Sequence, residues 1–198
     1  MTDKPLIVGL GGTTRPGSSS ERLIRAVLKD TEDAGAATML FCGPDLAKLP
    51  HYAPELPSRT PEQTALVDAV RRADGIVIGT PGYHGGISGL VKNAIDLLED
   101  LRSDTRPYFD GRPVGLIVTA GGWQSCGVTL SALRDVVHAM RGWPTPIGIA
   151  VNSSEPILYG PDDSPEAGPL RDMVRSLASQ VMMRIAPGLC RRAGGPPV

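Results

Sequence analysis

Five short stretches of the chain are almost wholly apolar, and each is bounded by glycine, proline or polar residues. The stretches are Pro5–Leu10, Ala37–Cys42, Gly75–Thr80, Pro113–Ala120 and Ile147–Val151. Near-continuous apolar runs of this length are typical of strands buried on both faces of a parallel sheet. The pattern therefore predicts five strands in the interior of an α/β fold.

Apolar residues at three- and four-residue intervals follow each of these runs, which predicts helices. The predicted helices run from about Ser19 to Ala34, from Pro61 past Val70, from Ser88 to Leu101, from Val128 to Arg141 and from Pro165 to Ile185. Strands alternating with helices form a parallel sheet that is covered on both faces. We predict a three-layer α/β/α sandwich with a five-stranded parallel sheet in the order 2-1-3-4-5. One domain spans 1–198, with 186–198 as a flexible tail.

Composition narrows the possible functions. The net charge is -1 and aromatic residues make up 4% of the 198 residues, which argues against a nucleic-acid partner. The apolar run after Met1 is too short for a signal peptide or a membrane span. Three widely spaced cysteines indicate a reducing compartment, and Cys42 is interpreted as a small buried hydrophobic residue. We expect a cytoplasmic protein that does not bind a membrane.

Three glycine-rich segments follow the first, third and fourth predicted strands. They cover 11–20, 80–89 and 119–125. In a parallel sheet of this order, the carboxyl ends of these strands surround the point where ligands bind. The sequence therefore predicts one binding site built from all three segments.

The first segment suits a phosphate, but it fails two common phosphate motifs. A P-loop needs a lysine where Ser18 stands, which argues against hydrolysis of a nucleoside triphosphate. A Rossmann fingerprint needs a glycine at Thr14 and an acidic residue near Cys42, so the dinucleotide fingerprint fails as well. A site for a single phosphate remains.

The donors for that phosphate are of three kinds. Thr13, Ser18 and Ser20 supply hydroxyl groups, Arg15 supplies positive charge, and backbone N–H groups near Ser19 lie at a helix N-terminus. These donors converge with no evident acidic counterpart. The alternative is a turn followed by a helix cap, with Arg15 in solvent.

Taken together, the three segments resemble the NADPH-dependent FMN reductase family, whose fold is flavodoxin-like. The family pattern Gly-Ser-x-Arg-x-x-Ser is matched by Gly12–Ser18, with threonine for serine. Its Thr-Pro-x-Tyr element and the following Lys-Asn and Asp are matched by Thr80–Tyr83 and Lys92–Asp96. Its Gly-Gly pair is matched by Gly121–Gly122, and the resemblance covers roughly 5–150.

The resemblance implies FMN as the cofactor and NADPH or NADH as the reductant, with hydride transfer followed by electron delivery to a small-molecule acceptor in a ping-pong cycle. The residues implied in cofactor binding are Thr13, Arg15, Ser18, Ser19 and Ser20 at the phosphate, and Pro81, Gly82, Tyr83, His84, Gly85, Gly121 and Gly122 at the ring. Stacked rings need orientation more than acid or base catalysis, so no catalytic side chain and no metal are expected.

The chain departs from the family in two places. Gly82 and His84 stand where many members carry an acidic residue and an asparagine, and no tyrosine lies between Gly122 and Met140. In some members that release reduced flavin to a partner monooxygenase, the fourth helix carries an extra tyrosine. Its absence favours FMN held as a prosthetic group, with a flavin-dependent monooxygenase as the less favoured partner.

Several alternatives stay open at this stage. An FMN-bound reductase of quinones, azo compounds, nitro compounds or metal oxyanions would share every binding motif. A flavodoxin-like electron carrier is disfavoured by the net charge of -1, although Tyr83 and Trp123 could flank a flavin. A hydrolase using Ser125 and His138 is disfavoured because the glycine pattern of a nucleophile elbow is not met. The resemblance also implies a homodimer or homotetramer.

Overall fold

The computed structural model describes residues 4–185, so the predicted tail at 186–198 lies outside the described residues. The strands within that range are β1 (Leu6–Gly11), β2 (Ala37–Phe41), β3 (Gly75–Tyr83), β4 (Gly86–Ile87), β5 (Pro113–Ala120) and β6 (Trp143–Asn152). The helices are α1 (Ser19–Asp33), α2 (Gly43–Leu46), α3 (Pro61–Arg72), α4 (Gly89–Asp96), α5 (Trp123–Ala139) and α6 (Pro169–Ile185). A 3₁₀ helix at Leu97–Leu101 continues α4.

The sheet has the predicted topology. Its strands lie in the order β2-β1-β3-β5-β6, and every pair along this path is parallel. When only these parallel strands are numbered, the order is 2-1-3-4-5, which confirms the prediction. The short strand β4 pairs antiparallel with the end of β3. Strand order reverses between β1 and β3, so the site predicted from the sequence lies at their carboxyl ends.

Alternating side chains of each strand divide the core into two layers. In β1, Ile7 packs with α1 and α6 on one face of the sheet, whereas Val8 and Leu10 pack with α3, α4 and α5 on the other. Helix α1 lies very close to the sheet, because a Cβ at Gly79 would come within 2.6 Å of Ile24 Cδ1. The predicted three-layer arrangement is confirmed.

Two helices begin at residues other than those predicted. Helix α5 starts at Trp123 and not near Val128, since the Cys126 N–H already donates to the Gly122 carbonyl over 3.1 Å. Helix α6 starts at Pro169 and not at Pro165. Pro165 lies instead in an isolated β-bridge with Tyr159.

Strands β3 and β6 are longer than predicted. Strand β6 begins at Trp143 even though Pro144 and Pro146 follow, because it lies at the edge of the sheet, where a missing N–H is tolerated. Strand β3 continues three residues past Thr80, since β4 supplies it with a partner. Among residues 4–185, no helix combines the length and apolar character that a membrane crossing requires.

Candidate functional site

The three predicted segments meet at one edge of the sheet. Gly11 of β1 pairs with Gly79 of β3, and Pro81 of β3 pairs with Thr119 of β5. The Gly12 N–H donates to the Gly79 carbonyl over 3.0 Å, which fixes the start of the first loop against β3. The first loop, the end of β3 and the start of α5 are therefore neighbours, as the sequence predicted.

The first loop ends in the N-terminal cap of α1. The Ser18 hydroxyl accepts from the Glu21 N–H over 3.4 Å, and the Ser20 hydroxyl lies 3.4 Å from it. Both serines are buried, whereas Arg15 is exposed. The Thr13 hydroxyl accepts from the Arg15 N–H over 3.2 Å, so it stabilises a turn within the loop. Hydroxyls and unpaired N–H groups of the first helical turn thus face the loop.

A buried acid also lies at this loop, contrary to the expectation that the donors have no acidic counterpart. Glu21 is 4% exposed, and its Oε2 accepts from the Gly17 N–H over 3.2 Å. Arg25 donates to Oε1 of the same carboxylate from Nε and Nη2, over 3.0 and 2.8 Å. The spacing Ser18-x-x-Glu21 was a recognisable capping signal. The positive charge of Arg25 balances the negative charge of this carboxylate. The carboxylate orders the loop through its hydrogen bond from the Gly17 N–H.

The turn after β2 packs directly against the first loop, and this contact was not predicted from the sequence. A Cβ at Gly43 would lie 1.6 Å from the Thr13 carbonyl oxygen, so only glycine allows this contact. Cys42 is half-buried and not a plain core residue, because its thiol donates to Asp45 Oδ2 over 3.0 Å. This hydrogen bond lowers the pKa of Asp45, while burial raises the pKa of the Cys42 thiol.

The second segment is a hairpin and not the open glycine-rich loop that was expected. The Thr80 hydroxyl accepts from the Ser88 N–H over 3.1 Å and donates to the Pro81 carbonyl over 2.9 Å. The turn between β3 and β4 is formed by His84 and Gly85, which have φ values of 51° and 76°. A two-residue turn of this handedness suits the twist of a hairpin.

The predicted ring-binding residues of the hairpin differ from one another in exposure. Tyr83 and His84 are exposed at its tip, Pro81 is buried, and Gly82 faces α5. A Cβ at Gly82 would come within 2.8 Å of Thr129 Oγ1. That hydroxyl is buried and has no hydrogen-bond partner in the described part of the chain. The backbone at Gly82 therefore lies directly against the first turns of α5.

The third segment is short and open. Gly122 is the N-cap of α5 with an extended φ of -178°, and the Gly121 carbonyl accepts from the Ser154 hydroxyl over 3.0 Å. Trp123 belongs to α5 rather than to the loop, and 58% of it is exposed. Its indole N–H donates to Glu155 Oε1 over 3.1 Å. The aromatic ring is thus held at the edge of the site.

The other side chains considered in the sequence have structural roles. Asn93 accepts from the Tyr52 N–H over 2.8 Å, and Lys92 donates to Asp96 over 2.6 Å one helical turn away. Ser125 and His138 both lie in α5, roughly 20 Å apart along its axis at 1.5 Å per residue. They cannot form a nucleophile and base pair, so the hydrolase alternative fails.

The donor set fits a phosphate ester with a flat polar ring. Buried hydroxyls and first-turn N–H groups of α1 suit a phosphate, and Arg25 cancels the charge of the single buried carboxylate in the described loop. At the other end, no atom beyond its chain neighbours would lie within 4 Å of a Cβ at Gly122. Open backbone of this kind can meet the edge of a ring that carries carbonyl and N–H groups.

The chain is similar to known proteins in sequence and in fold. Residues 5–155 match the family model described as NADPH-dependent FMN reductase. A curated relative, the FMN-dependent NADPH-azoreductase of Staphylococcus aureus, is 40% identical over 90 residues, or 46% of this chain and 44% of the relative. The alignment thus spans less than half of the curated relative.

Solved structures share the fold at low sequence identity. A flavoenzyme NAD(P)H:(acceptor) oxidoreductase from Paracoccus denitrificans superposes with a TM-score of 0.70 at 21% identity, covering 91% of this chain and 98% of that one. A flavodoxin, WrbA-like protein from Agrobacterium tumefaciens gives 0.61 at 17% identity, over 91% and 98% of the two chains. These likenesses show the flavodoxin-like fold.

Proposed function

Because the chain belongs to the NADPH-dependent FMN reductase family, we propose that it is an NAD(P)H-dependent oxidoreductase that binds FMN and reduces a small-molecule acceptor. The observation that carries the proposal is the meeting of two kinds of surface at one edge of the sheet, on two strands that flank β3. A cluster of hydroxyl and N–H donors follows β1, and open glycine backbone follows β5. The first suits the phosphate and the second suits the ring.

The phosphate lies in the first loop in this proposal. The hydroxyls of Ser18 and Ser20 and the N–H groups at Ser19 and Ser20 donate to its oxygens. Thr13 shapes the loop and can turn its hydroxyl inwards. The Arg15 guanidinium forms no ion pair with any described residue, so it is available to close over the phosphate from the solvent side.

The ring lies across the ends of β3 and β5. The residues that would contact it are Pro81, Gly82, Tyr83, His84, Gly85, Gly121 and Gly122. The chemistry that FMN supplies there is acceptance of a hydride from NADPH or NADH and delivery of two electrons to an acceptor. The protein positions the reactants, with no side chain serving as acid or base.

The overall reaction balances for either of two acceptor classes. A quinone takes up the hydride equivalent and one proton, giving the hydroquinone and NADP⁺. Cleavage of an azo bond takes two such turns, the first giving the hydrazo compound and the second the two amines. The azoreductase name of the curated relative supports the azo class. Nitro compounds and metal oxyanions stay further candidates.

Three further properties belong to the same proposal. FMN stays bound between turnovers, which is supported by the lack of tyrosine from Gly122 to Met140, so electrons pass to a small acceptor and not through free flavin to a monooxygenase. The protein acts in the cytoplasm as a homodimer or homotetramer. A flavodoxin-like electron carrier is the alternative class, and rapid NADPH oxidation with a small acceptor distinguishes the enzyme from it.

The decisive experiment is a visible spectrum of the purified protein before and after addition of NADPH or NADH. We expect a bound flavin spectrum that bleaches with reductant and returns with a quinone or azo dye. Protein that neither carries flavin nor binds FMN on titration would refute the proposal. A bound flavin that NADPH and NADH both fail to reduce would favour the electron carrier.

Arg15→Ala tests the phosphate placement. Loss of a charge-assisted contact, worth about 1.5–3 kcal/mol, should raise the Kd for FMN by about tenfold or more. Arg175→Ala is the matched control, because Arg175 is an exposed arginine on α6. Equal affinities of the two variants would show that Arg15 stays in solvent.

A further inference from the structure

The segment that follows β6 reaches back to the first turn of α1. The Tyr159 ring stacks under the Arg22 guanidinium, with the Arg22 Cζ 3.5 Å from the ring centroid. Arg22 also forms an ion pair with Asp163 of the same segment. Tyr159 and Asp163 lie beyond residue 155, where the match to the family model ends. This contact with α1 is therefore a feature of the chain that the family match does not cover.

Tyr159 is held in place by a tight turn and a short bridge. It forms a β-bridge with Pro165. Between these two residues, the Gly160 N–H donates to the Ser164 carbonyl over 2.9 Å, and the Ser164 N–H donates to Asp162 Oδ1 over 3.2 Å. Ser164 itself is buried. These contacts fix the backbone that follows Tyr159, so the ring has a defined position against α1.

Arg22 belongs to the turn of α1 that carries the proposed phosphate donors. Its N–H donates to the Ser18 carbonyl over 2.9 Å, which is the first main-chain hydrogen bond of the helix. The N–H groups of Ser19 and Ser20 precede this bond and are left for a ligand. Ser19 and Arg22 are three residues apart, so their side chains leave the helix on the same side. Tyr159, which packs on Arg22, therefore lies on the Ser19 side of this turn.

The Tyr159 hydroxyl is the unusual group in this contact. It is buried and forms no hydrogen bond with a described residue. Burial raises the pKa of Tyr159, and the Arg22 charge and the Ser19 hydroxyl oppose that rise. A phenylalanine ring would stack on Arg22 without burying an unpaired hydroxyl, which costs free energy. The stacking therefore does not account for the phenol oxygen, and Ser19 Oγ is the nearby group to which it can donate.

We propose that Tyr159 is a positioning residue of the phosphate site, whose hydroxyl donates to Ser19 Oγ and directs the Ser19 O–H toward the phosphate of FMN. This role rests on the proposed function, and it adds the Ser19 hydroxyl to the donors described there. A serine hydroxyl can accept one hydrogen bond while it donates another. Tyr159 does not touch the phosphate, because its own hydroxyl is buried. Its effect on binding passes through Ser19.

Tyr159→Phe removes the hydroxyl and keeps the ring on Arg22. The Kd for FMN should rise about fivefold, as for one lost hydrogen bond, whereas the Kd for riboflavin, which lacks the phosphate, should not change. The urea midpoint should not fall, because the unliganded protein loses no paired group. Tyr108→Phe is the matched control, since that hydroxyl donates to Glu99 over 3.0 Å and lies before β5, at the opposite edge of the sheet. Equal losses of FMN and riboflavin affinity, or no loss of either, would overturn the proposal.

A double-mutant cycle with Ser19→Ala tests the route of the effect. Ser19→Ala should raise the Kd for FMN at least as much as Tyr159→Phe does, because it removes the hydroxyl that donates to the phosphate. The Kd of the double variant should match that of Ser19→Ala, since Tyr159 acts only through this hydroxyl. Calorimetric titration of the four proteins, each freed of bound flavin, measures the constants. Fold-changes that multiply would show that the two hydroxyls act independently, which would refute the proposal.

Failure here is distinguishable from failure of the proposed function. Inorganic phosphate, followed by phosphorus NMR, probes the same site without the flavin ring. Phosphate that binds the parent about fivefold more tightly than Tyr159→Phe, in protein that does not bind FMN, would support the positioning role and refute the reductase. FMN-dependent NADPH oxidation by a parent whose FMN affinity equals that of Tyr159→Phe would support the reductase and refute the positioning role. Protein that binds neither phosphate nor FMN would refute both.

Discussion

The two ends of the candidate site use glycine for opposite reasons. At the first loop, a Cβ at Gly11 would lie 1.8 Å from a backbone oxygen of β3, and one at Gly43 would lie 1.6 Å from the Thr13 carbonyl oxygen. At the third segment, a Cβ at Gly121 would come no closer than 3.7 Å to another group, and one at Gly122 would meet nothing within 4 Å. Glycine allows two backbone segments to pack in direct contact at one end, and it leaves the backbone accessible to a ligand at the other.

Burial follows the same division. Ser18 and Ser20 at the first loop are 2% and 1% exposed, whereas Tyr83 and Trp123 at the other end are 56% and 58% exposed. The proposed phosphate end is thus anchored in the packed framework at Ser18 and Ser20. The proposed ring end is an exposed surface to which a ligand can bind. Substitutions at the first end should affect folding and binding together, and those at the second should affect binding alone.

The largest effect should come from Gly43→Ala. The added Cβ must displace the first loop at Thr13, and overpacking of this kind costs about 1–3 kcal/mol of unfolding free energy. If the first loop holds the phosphate as proposed, FMN affinity should fall together with stability. Urea unfolding and flavin titration measure the two effects. Gly89→Ala is the control, since nothing lies within 4 Å of its Cβ in the first turn of α4. A Gly43→Ala protein as stable as the control would contradict the packed-end interpretation.

Gly122→Ala should separate binding from stability. Its extended φ of -178° suits any residue, and its Cβ meets no described atom within 4 Å. The remaining cost is the poorer N-cap that alanine gives α5, so the unfolding free energy should fall by no more than about 1 kcal/mol. If the ring lies against this backbone, the methyl group should raise the Kd for FMN about tenfold. Titration of the folded variant with FMN measures this. Loss of stability without loss of affinity would reverse the comparison.

The sheet order and the position of the candidate site could be predicted from the sequence. The five apolar runs and the helical periods between them predicted the sheet order, because buried parallel strands leave a direct hydrophobic signal. The three glycine-rich segments predicted where the site lies, since the carboxyl ends of β1, β3 and β5 are neighbours in that order. Local pattern and topology were sufficient for these features.

The reasons for each glycine could not be predicted in this way. Gly43 supports a loop thirty residues earlier in the chain, and no local pattern encodes that contact. The hairpin at Tyr83–Gly86 stands where an open loop was expected. It could not be predicted because β4 is only two residues long and too short to leave a periodic signal. Glu21 carried a capping signal, but its burial and its neutralisation by Arg25 depend on packing.

Glu21→Gln tests the role of that buried acid. The amide keeps a hydrogen-bond acceptor for the Gly17 N–H but removes a negative charge from the phosphate end, and it leaves Arg25 without its partner. Both changes favour a bound anion, so FMN affinity should rise about threefold. Comparison with riboflavin, which lacks the phosphate, isolates the electrostatic effect. A gain shared by riboflavin would indicate a change of loop shape.

The smallest effect should be the pH response of Cys42→Ala. The thiol hydrogen bond lowers the pKa of Asp45 in the folded state, so this carboxylate adds stability above its unfolded pKa and loses it as the pH falls through the folded value. Without the thiol, the Asp45 pKa should rise toward its ordinary range. Because the Asp45 side chain is 44% exposed, solvent screening should limit the change at neutral pH to less than about 0.5 kcal/mol. NMR titration of the Asp45 carboxyl measures the shift directly. Cys42→Ser should keep the pKa of Asp45 low, because a hydroxyl can donate in place of the thiol. Equal Asp45 titrations in Cys42→Ala and Cys42→Ser would show that packing alone holds the turn next to the first loop.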